Sequence, residues 1–469
     1  MIFFSLANSG AFLFSKILTL PLTFLKKTLQ IKEHIKETVK LAIPISFGQL
    51  GHVMMGVVDS MMVGRIGTAQ LAASALVNGL FFLVLVIGIG VSMAATPLIS
   101  MAKGAQKFDD CGKTLSHSLV VNFSFSIILT VLTFGMTYVI PHLNQPKEVV
   151  AEAIPFMQVL SFSVIPFMLF QSYRQFLEGL SIPNPPMVIV LLANLLNAFL
   201  NWIFIYGNFG APSLGLFGSG ISTTVTRWIM AFALILFVIN YKKVKQYNPR
   251  ISISSLDISL IRKLISIGLP SGFQYFLEVG AFGFAAIMIG WIGSHQLAAH
   301  QIAINLASIT YMIILGISAA GTIRVGGFLG ENNWIKVRYA GFTSLGISVA
   351  IMFCFGISFI IFKTTLTKFY VNDSEVISIA SQLLIVAALF QIFDGMQATG
   401  VGILRGLSDV KVPLVISLFA YWIIGIPVGA LLGFYFKLGA VGVWIGLLIG
   451  LALIGITLLF RFRYKTKHH

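Results

Sequence analysis

The stretch GRIGTAQLAA at residues 64–73 returns as GWIGSHQLAA at residues 290–299, and this repetition decides the fold. Farther along, EGLSIPNPPMVI at residues 178–189 matches RGLSDVKVPLVI at residues 405–416. The offset is nearly constant, since 290 − 64 is 226 and 405 − 178 is 227. Apolar segments rarely keep a register this long by chance. The repeat therefore predicts two halves that share one internal order.

The composition places both halves in a bilayer. The chain of 469 residues is 57% hydrophobic and 10% charged, with a mean hydropathy of +0.94, whereas about a quarter of the residues in a soluble domain are charged. Its apolar runs are continuous and reach the roughly 20 residues that a membrane-spanning helix needs. Barrel strands would instead alternate over segments of about ten residues. We predict an all-α polytopic membrane protein of about twelve transmembrane helices.

The positions of the apolar runs predict the organisation of the chain. We expect six spans in each half, which gives two six-helix lobes. An even number of spans gives both lobes the same orientation, so they should be related by a parallel internal repeat about an axis along the membrane normal. The spans should begin near Leu41, Ala72, Leu115, Ala153, Pro186, Gly218, Leu264, Ala298, Ala340, Val376, Pro413 and Ala440. The predicted segments are an N-terminal cytoplasmic or interfacial segment (1–38), a first lobe (39–241), a cytoplasmic connector (242–263), a second lobe (264–460) and a basic cytoplasmic tail (461–469).

The net charge of +16 follows the topology of the chain. With both termini in the cytoplasm, most of the 31 Lys and Arg residues fall on the cytoplasmic side, as the positive-inside rule requires. We place Arg174, Arg324 and Arg405 in that group, which leaves Arg227 as the basic residue inside a span. The basic residues are scattered, so a nucleic-acid partner is not expected. The amphipathic stretch at residues 26–40 should lie on the cytoplasmic surface with its lysines toward anionic lipid head groups.

Three of the 15 acidic residues lie deep within predicted spans: Asp59, Glu278 and Asp394. A charge at the bilayer centre costs about 2.5–3.5 kcal/mol on insertion scales. Few fixed positive charges lie at the same depth, so these carboxylates are expected to meet protons, Na⁺ or a cationic substrate. The alternative is that each acid is hydrogen-bonded or salt-bridged and only holds helices together.

Asn197 and Asn201 are four residues apart and therefore share one helix face. With a carboxylate such as Asp59, their oxygens would suit a hard cation. Interhelical hydrogen bonding is the simpler reading for the two asparagines alone. Cys111 and Cys354 match no metal or disulfide spacing, and we interpret both as packing residues.

Catalytic and nucleotide-binding patterns are missing from the sequence. Its glycine-rich segments follow no Walker or GxGxxG pattern, and no Ser/His/Asp arrangement is evident. We therefore expect no enzyme activity and no cofactor. An ion gradient of Na⁺ or H⁺ should supply the energy.

Several motifs resemble the multidrug and toxic compound extrusion (MATE) family, within it the NorM-like branch. They are DSMMVG from Asp59, NLLNAFLNWIFIYG from Asn194, LPSGFQYFLEVG from Leu269, AAHQIAIN from Ala298 and FDGMQATGVGILRG from Phe393. The resemblance runs from about Lys32 to Phe460.

This resemblance implies a multidrug efflux antiporter of the inner membrane that exports organic cations or drugs in exchange for Na⁺ or H⁺. It assigns ion coupling to Asp59, Glu278, Asp394, Asn197 and Asn201, which would also hold Na⁺ if the protein is sodium-coupled. Substrate binding would involve Asp59, Glu278 and Asp394. A monomer is expected.

His52 departs from the family pattern, because relatives often have glutamine there. The repeat offset also aligns it with Glu278, since 278 − 52 is 226. His52 precedes Asp59 by two helical turns, so both should face one cavity. We therefore count His52 among the substrate-binding residues, with a pH-dependent role as the hypothesis. The alternative is a neutral histidine hydrogen-bonded between helices.

Other functions remain as alternatives. A lipid-linked or polysaccharide precursor flippase of the same superfamily should carry an excess of intramembrane basic residues for phosphate groups. A channel would need a filter around one open pathway, and a membrane-embedded enzyme would need a catalytic constellation.

Overall fold

The computed structural model describes residues 2–249 and 256–467, with side chains from residue 31 onward. Within these residues, twelve helices are long and apolar enough to cross a membrane. We number them α1 to α12 in chain order: Ile31–Val63, Thr68–Gly104, Phe108–His142, Lys147–Gly179, Asn184–Phe204, Gly215–Asn240, Ile258–Ile292, Ser294–Gly330, Trp334–Lys368, Ser374–Gly406, Lys411–Tyr435 and Gly439–Lys467. The chain is an all-α, multi-pass membrane protein.

The helices extend beyond the apolar runs that identify them. Each begins before the position expected from hydropathy, because its first turns are polar. Helix α7, for example, begins at Ile258, and the carboxylate of Asp257 caps it by accepting a hydrogen bond of 2.8 Å from the Ser259 backbone nitrogen. The second lobe therefore starts before residue 264, and α12 continues past residue 460. Residues 250–255 of the predicted connector lie outside the described residues.

Helix α1 differs most from expectation at its N-terminal end. The helical backbone runs without a break from Ile2 to Val63, so the boundary predicted at residue 38 is not a helix end. In the described part of the amphipathic stretch, His34 and Thr38 are buried against α8, while Lys32 and Lys36 are exposed. Residues 31–40 are therefore the first turns of a spanning helix. They do not form a separate helix lying flat on the surface.

Three buried hydrophobic clusters that each stay within one half of the chain confirm the two lobes. One large buried cluster contains only residues between Ala281 and Phe462, and two others contain only residues between Met55 and Tyr247.

The repeat is also visible in the turns between helices. Gln106 and Asn332 occupy equivalent positions and both adopt left-handed backbone conformations, as do Ser181 and Ser408. Equivalent turns close equivalent helix pairs in the two lobes.

The lobes meet where small residues let helices approach closely. Gly90 of α2 lies against Gly272 of α7, where a Cβ on Gly90 would lie 2.3 Å from the Gly272 Cα. Near the ends of α2 and α8, a Cβ on Gly104 would lie 2.0 Å from the Gly327 carbonyl oxygen. Along α1 the contact continues through Ser46, whose hydroxyl donates to the Ile313 carbonyl at 2.9 Å.

Gly90→Ala is expected to lower the free energy of unfolding by about 1–3 kcal/mol relative to Gly79→Ala, because the new methyl group would overlap the α7 backbone. Gly79 is the matched control: it lies on the same helix, and a Cβ added there meets nothing within 4 Å. Thermal unfolding of the purified variants in detergent gives the comparison. Equal unfolding temperatures would contradict close packing at Gly90.

Candidate functional site: a charged cavity between the lobes

A cavity of about 450 Å³ lies between the lobes, with lining residues from both. Side chains from α1, α2, α4, α6, α7, α8 and α10 line it, and most of them are apolar. Six charged residues interrupt the apolar lining: Asp59, Arg174, Glu178, Arg227, Glu278 and Arg405. Apolar walls with a few charged groups are typical of a small-molecule site.

In the first lobe, Asp59 lies at the centre of a hydrogen-bonded cluster. The Asn201 side-chain nitrogen donates to Asp59 Oδ1 at 2.5 Å, and the Thr223 hydroxyl donates to Oδ2 at 3.3 Å. Asn197 lies one turn from Asn201 on α5, with its Oδ1 at 3.3 Å from the Asn201 nitrogen. Both asparagines are fully buried, whereas Asp59 is half-buried and lines the cavity. The structure thus brings together the three first-lobe residues that the sequence singled out for ion coupling.

The donor set around Asp59 is compatible with a hard cation. Asn201 Oδ1 is buried and has no hydrogen-bond partner among the described residues. Such an oxygen, next to the carboxylate of Asp59 and Oδ1 of Asn197, is the type of ligand that Na⁺ takes. Across the described residues, no three His, Cys, Asp or Glu side chains come together as a transition-metal site would require.

In the second lobe, Glu278 is hydrogen-bonded through both carboxylate oxygens. The Tyr311 hydroxyl donates to Oε1 and the Gln397 side-chain nitrogen donates to Oε2, each at 2.9 Å. Asp394 and the hydroxyl-bearing Tyr421 lie within electrostatic reach of Glu278. Glu278 lines the cavity, while Asp394 is 4% exposed and lies behind the lining. The two second-lobe acids therefore form one cluster, separate from Asp59.

Three other uncharged partners of the acids were not found from the sequence. Thr223, Tyr311 and Gln397 lie on α6, α8 and α10, far along the chain from the acids that they contact. Threonine, tyrosine and glutamine occur widely in membrane helices. Their roles depend on which helices pack together.

His52 lines the same cavity as Asp59, as the spacing predicts. Its ring lies edge-on to Phe167 and Phe170, with centroid distances of 6.2 and 6.1 Å. Its Nε2 is buried and has no hydrogen-bond partner among the described residues. The structure thus shows no interhelical hydrogen bond at this nitrogen.

His52→Gln is expected to flatten the pH dependence of substrate binding. A histidine can change charge near neutral pH, whereas glutamine cannot, so a charged His52 would repel a cation held by Asp59. Substrate affinity should be measured between about pH 6 and about pH 8 for the wild type and for His52→Gln. Superimposable profiles would remove His52 from the mechanism.

The buried arginines correct the sequence analysis. Arg174, Arg324 and Arg405 were counted among the cytoplasmic positive charges, outside the interior of the spans. They are only 3%, 9% and 5% exposed and lie within helices α4, α8 and α10. Glu178 was also missed as a buried acid, and it forms an ion pair of 2.6 Å with Arg174. Their spacing of four residues was the available signal, since it places both on one helix face.

Twelve spanning helices, arranged as two lobes around a charged cavity, define a membrane transport protein of the two-lobe type. The family model described as MatE matches residues 44–203 and 270–431, one stretch in each lobe. The chain belongs to the MatE family.

Curated relatives are similar over nearly the whole chain. A probable multidrug resistance protein NorM of Mesorhizobium japonicum is 34% identical over 443 residues, covering 93% of this chain and 95% of the relative. A probable NorM of Pseudomonas putida is 34% identical, with 92% and 95% covered. The multidrug resistance protein MdtK of Yersinia pseudotuberculosis is 31% identical, with 92% and 96% covered.

Solved structures share the fold. A eukaryotic MATE transporter matches with a TM-score of 0.84 at 22% identity, covering 93% of this chain and 98% of the other. A multidrug resistance MATE family transporter described as outward-facing matches with a TM-score of 0.83 at 21% identity, covering 92% and 96%. The two-lobe architecture inferred from the repeat is the architecture of these transporters.

Proposed function

We propose that this protein is a secondary active antiporter, which exports organic, mostly cationic, toxic compounds in exchange for Na⁺ or H⁺ by alternating access. The observation that carries the proposal is the pair of acid clusters at the cavity. Asp59 and Glu278 line it, accept hydrogen bonds from neutral side chains and make no ion pair among the described residues. Carboxylates inside a membrane protein with no fixed counter-charge in contact favour exchangeable cations.

The two clusters have different partners and thus different roles. Asp59, Asn197 and Asn201 offer several oxygens to one ion in the first lobe. Glu278 and Asp394 interact electrostatically in the second lobe, where a bound cation or proton would relieve their repulsion. Substrate would meet Asp59, His52 and Glu278 at the cavity surface, with Asp394 acting behind Glu278. Na⁺, if it is the coupling ion, would be held by the same five ion-coupling residues.

The setting of the proposed antiporter follows from topology and energy source. The distribution of Lys and Arg supports a multi-pass protein of a cell inner membrane with both termini in the cytoplasm. An ion gradient would supply the energy, so the proposal includes no cofactor and no enzyme activity. We propose that one chain, with its own two lobes around one cavity, works as a monomer.

The flippase alternative finds no support among the relatives, whose names describe multidrug resistance. The cavity does contain basic residues of the kind expected for a flippase, because Arg174, Arg227 and Arg405 line it together with the acids. These arginines bear on which substrates fit.

Efflux of a cationic dye from proteoliposomes tests the proposal. The dye is loaded on one side, and an inward Na⁺ gradient and then an inward proton gradient are imposed in separate experiments. Export driven by either gradient supports antiport and names the ion. Dye flux that is the same with and without both gradients would support a channel instead.

A further inference from the structure

Arg405 is a charged cavity residue that makes no ion pair among the described residues. Its Nη1 donates to the Met93 thioether sulfur at 3.2 Å, and its guanidinium lies 5.6 Å from the centroid of the Tyr275 ring. Its Nε and Nη2 are buried and have no hydrogen-bond partner among the described residues. Burying a guanidinium whose nitrogens lack strong acceptors costs free energy, and a thioether is only a weak acceptor.

The repeat explains why this arginine is unpaired. Glu178 and Arg405 are equivalent positions in the motifs EGLS and RGLS. In the first lobe, the residue one turn earlier is Arg174, which pairs with Glu178. In the second lobe, the residue one turn earlier is Val401, which offers no carboxylate. The second lobe thus has a positive charge where the first lobe has a negative one, and it lacks a charged residue one turn earlier to pair with it.

We propose that Arg405 is the subsite for an anionic group, most directly a carboxylate, on substrates that also carry a positive charge. An entering carboxylate would displace the Met93 sulfur and offer two oxygens to the guanidinium, a bidentate arrangement that arginine favours. Arg405 also lies within electrostatic reach of Glu278. A zwitterion could therefore meet Arg405 with its carboxylate and the acidic residues with its cationic group. The inference rests on the proposed efflux function and narrows its substrate class.

Arg174 and Arg227 are poorer candidates for the same role. Arg174 is neutralised by Glu178. Arg227 donates to the Ser163 hydroxyl at 2.6 Å and lies over the rings of Phe81 and Phe167, at 5.3 and 5.2 Å from their centroids. Among the described residues, the Arg405 guanidinium contacts only a thioether sulfur and one aromatic ring, which are weaker partners.

A matched pair of dyes tests the subsite: a xanthene dye with a free benzoate, and the methyl ester of the same dye. Binding of each to the purified full-length protein is measured by fluorescence polarisation, and the readout is the ratio of the two dissociation constants. In Arg405→Gln the dissociation constant of the free acid, divided by that of the ester, should rise about tenfold or more. This is the effect expected for a lost charge-assisted hydrogen bond. The ratio corrects for general damage to the cavity.

Two further variants complete the test. Met93→Glu keeps Arg405 but places a carboxylate of the protein beside it. This carboxylate would compete with that of the dye, so the ratio of the free-acid to the ester dissociation constant should rise again. Arg461→Gln is the control, because Arg461 lies outside the cavity lining and pairs with Asp409 at 2.9 Å. Its ratio should equal that of the wild type.

Other outcomes would overturn the inference. An equal weakening of both dyes in Arg405→Gln and in Met93→Glu would mean that Arg405 only balances the charge of Glu278. If the wild type binds both dyes but Arg405→Gln and Met93→Glu have the same ratio as the wild type, Arg405 is not the subsite. The proposed efflux function is not affected by that result. If the wild type binds neither dye, the proposed function fails and this inference fails with it.

Discussion

Glu278→Gln is expected to reduce gradient-driven export to the rate of protein-free vesicles, while the amount of folded protein in the membrane stays nearly unchanged. Glutamine has almost the same shape, and its amide oxygen can still accept the hydrogen bond from Tyr311. The Gln397 amide can turn over to present Oε1, which has no hydrogen-bond partner among the described residues, to the new amide nitrogen. The fold keeps its hydrogen bonds, but the site can no longer bind a proton or attract a cation.

Asp394→Asn should produce the same loss, because Asp394 and Glu278 interact as one cluster. Glu148→Gln is the control: Glu148 is an exposed acid in the first turn of α4, away from the cavity lining. Export of a cationic dye from proteoliposomes under the coupling gradient gives the rates. A wild-type rate in either cavity variant would remove that residue from ion coupling.

The repeat and the hydropathy were sufficient to predict the architecture. Twelve spans in two matched lobes follow from segments such as residues 64–73 and 290–299, which must occupy equivalent places if the halves fold alike. The acids were identifiable because a carboxylate inside an apolar run is costly wherever the helix packs. The fold and two of the three acids that line the cavity, Asp59 and Glu278, were therefore predictable from the sequence.

Of the three arginines that line the cavity, only Arg227 was placed inside a span by the same reasoning. Arg405 lies near the end of α10, one residue before the helix ends at Gly406, so it was counted with the positive charges of the cytoplasmic side. Its burial results from α2 of the other lobe, which places Met93 against it. Contacts between lobes depend on the packing of distant helices, and hydropathy contains no information about them. The helix ends are for this reason the least predictable part of the site.

The double-mutant cycle of Asp59→Asn and Asn201→Ala is expected to show strong coupling in the apparent affinity for the coupling ion. The side chain of Asn201 donates to Asp59 at 2.5 Å, and both belong to the proposed ion site. Either substitution alone should disrupt the site, so the second should add little. Residues in one such network show interaction energies of about 0.5–3 kcal/mol.

Asn194 provides the matched control for this cycle, because it lies on the same helix, α5, but its hydrogen bonds go to backbone oxygens and not to Asp59. Its side-chain nitrogen donates to the backbone oxygens of Gly51 and Val190, at 3.0 and 2.8 Å. Asp59→Asn combined with Asn194→Ala should therefore give additive losses. If the Asn201 cycle is additive as well, Asn201 holds helices together and does not bind the ion. Coupling at Asn201 together with additivity at Asn194 would instead locate the first-lobe ion site on the Asp59-facing side of α5.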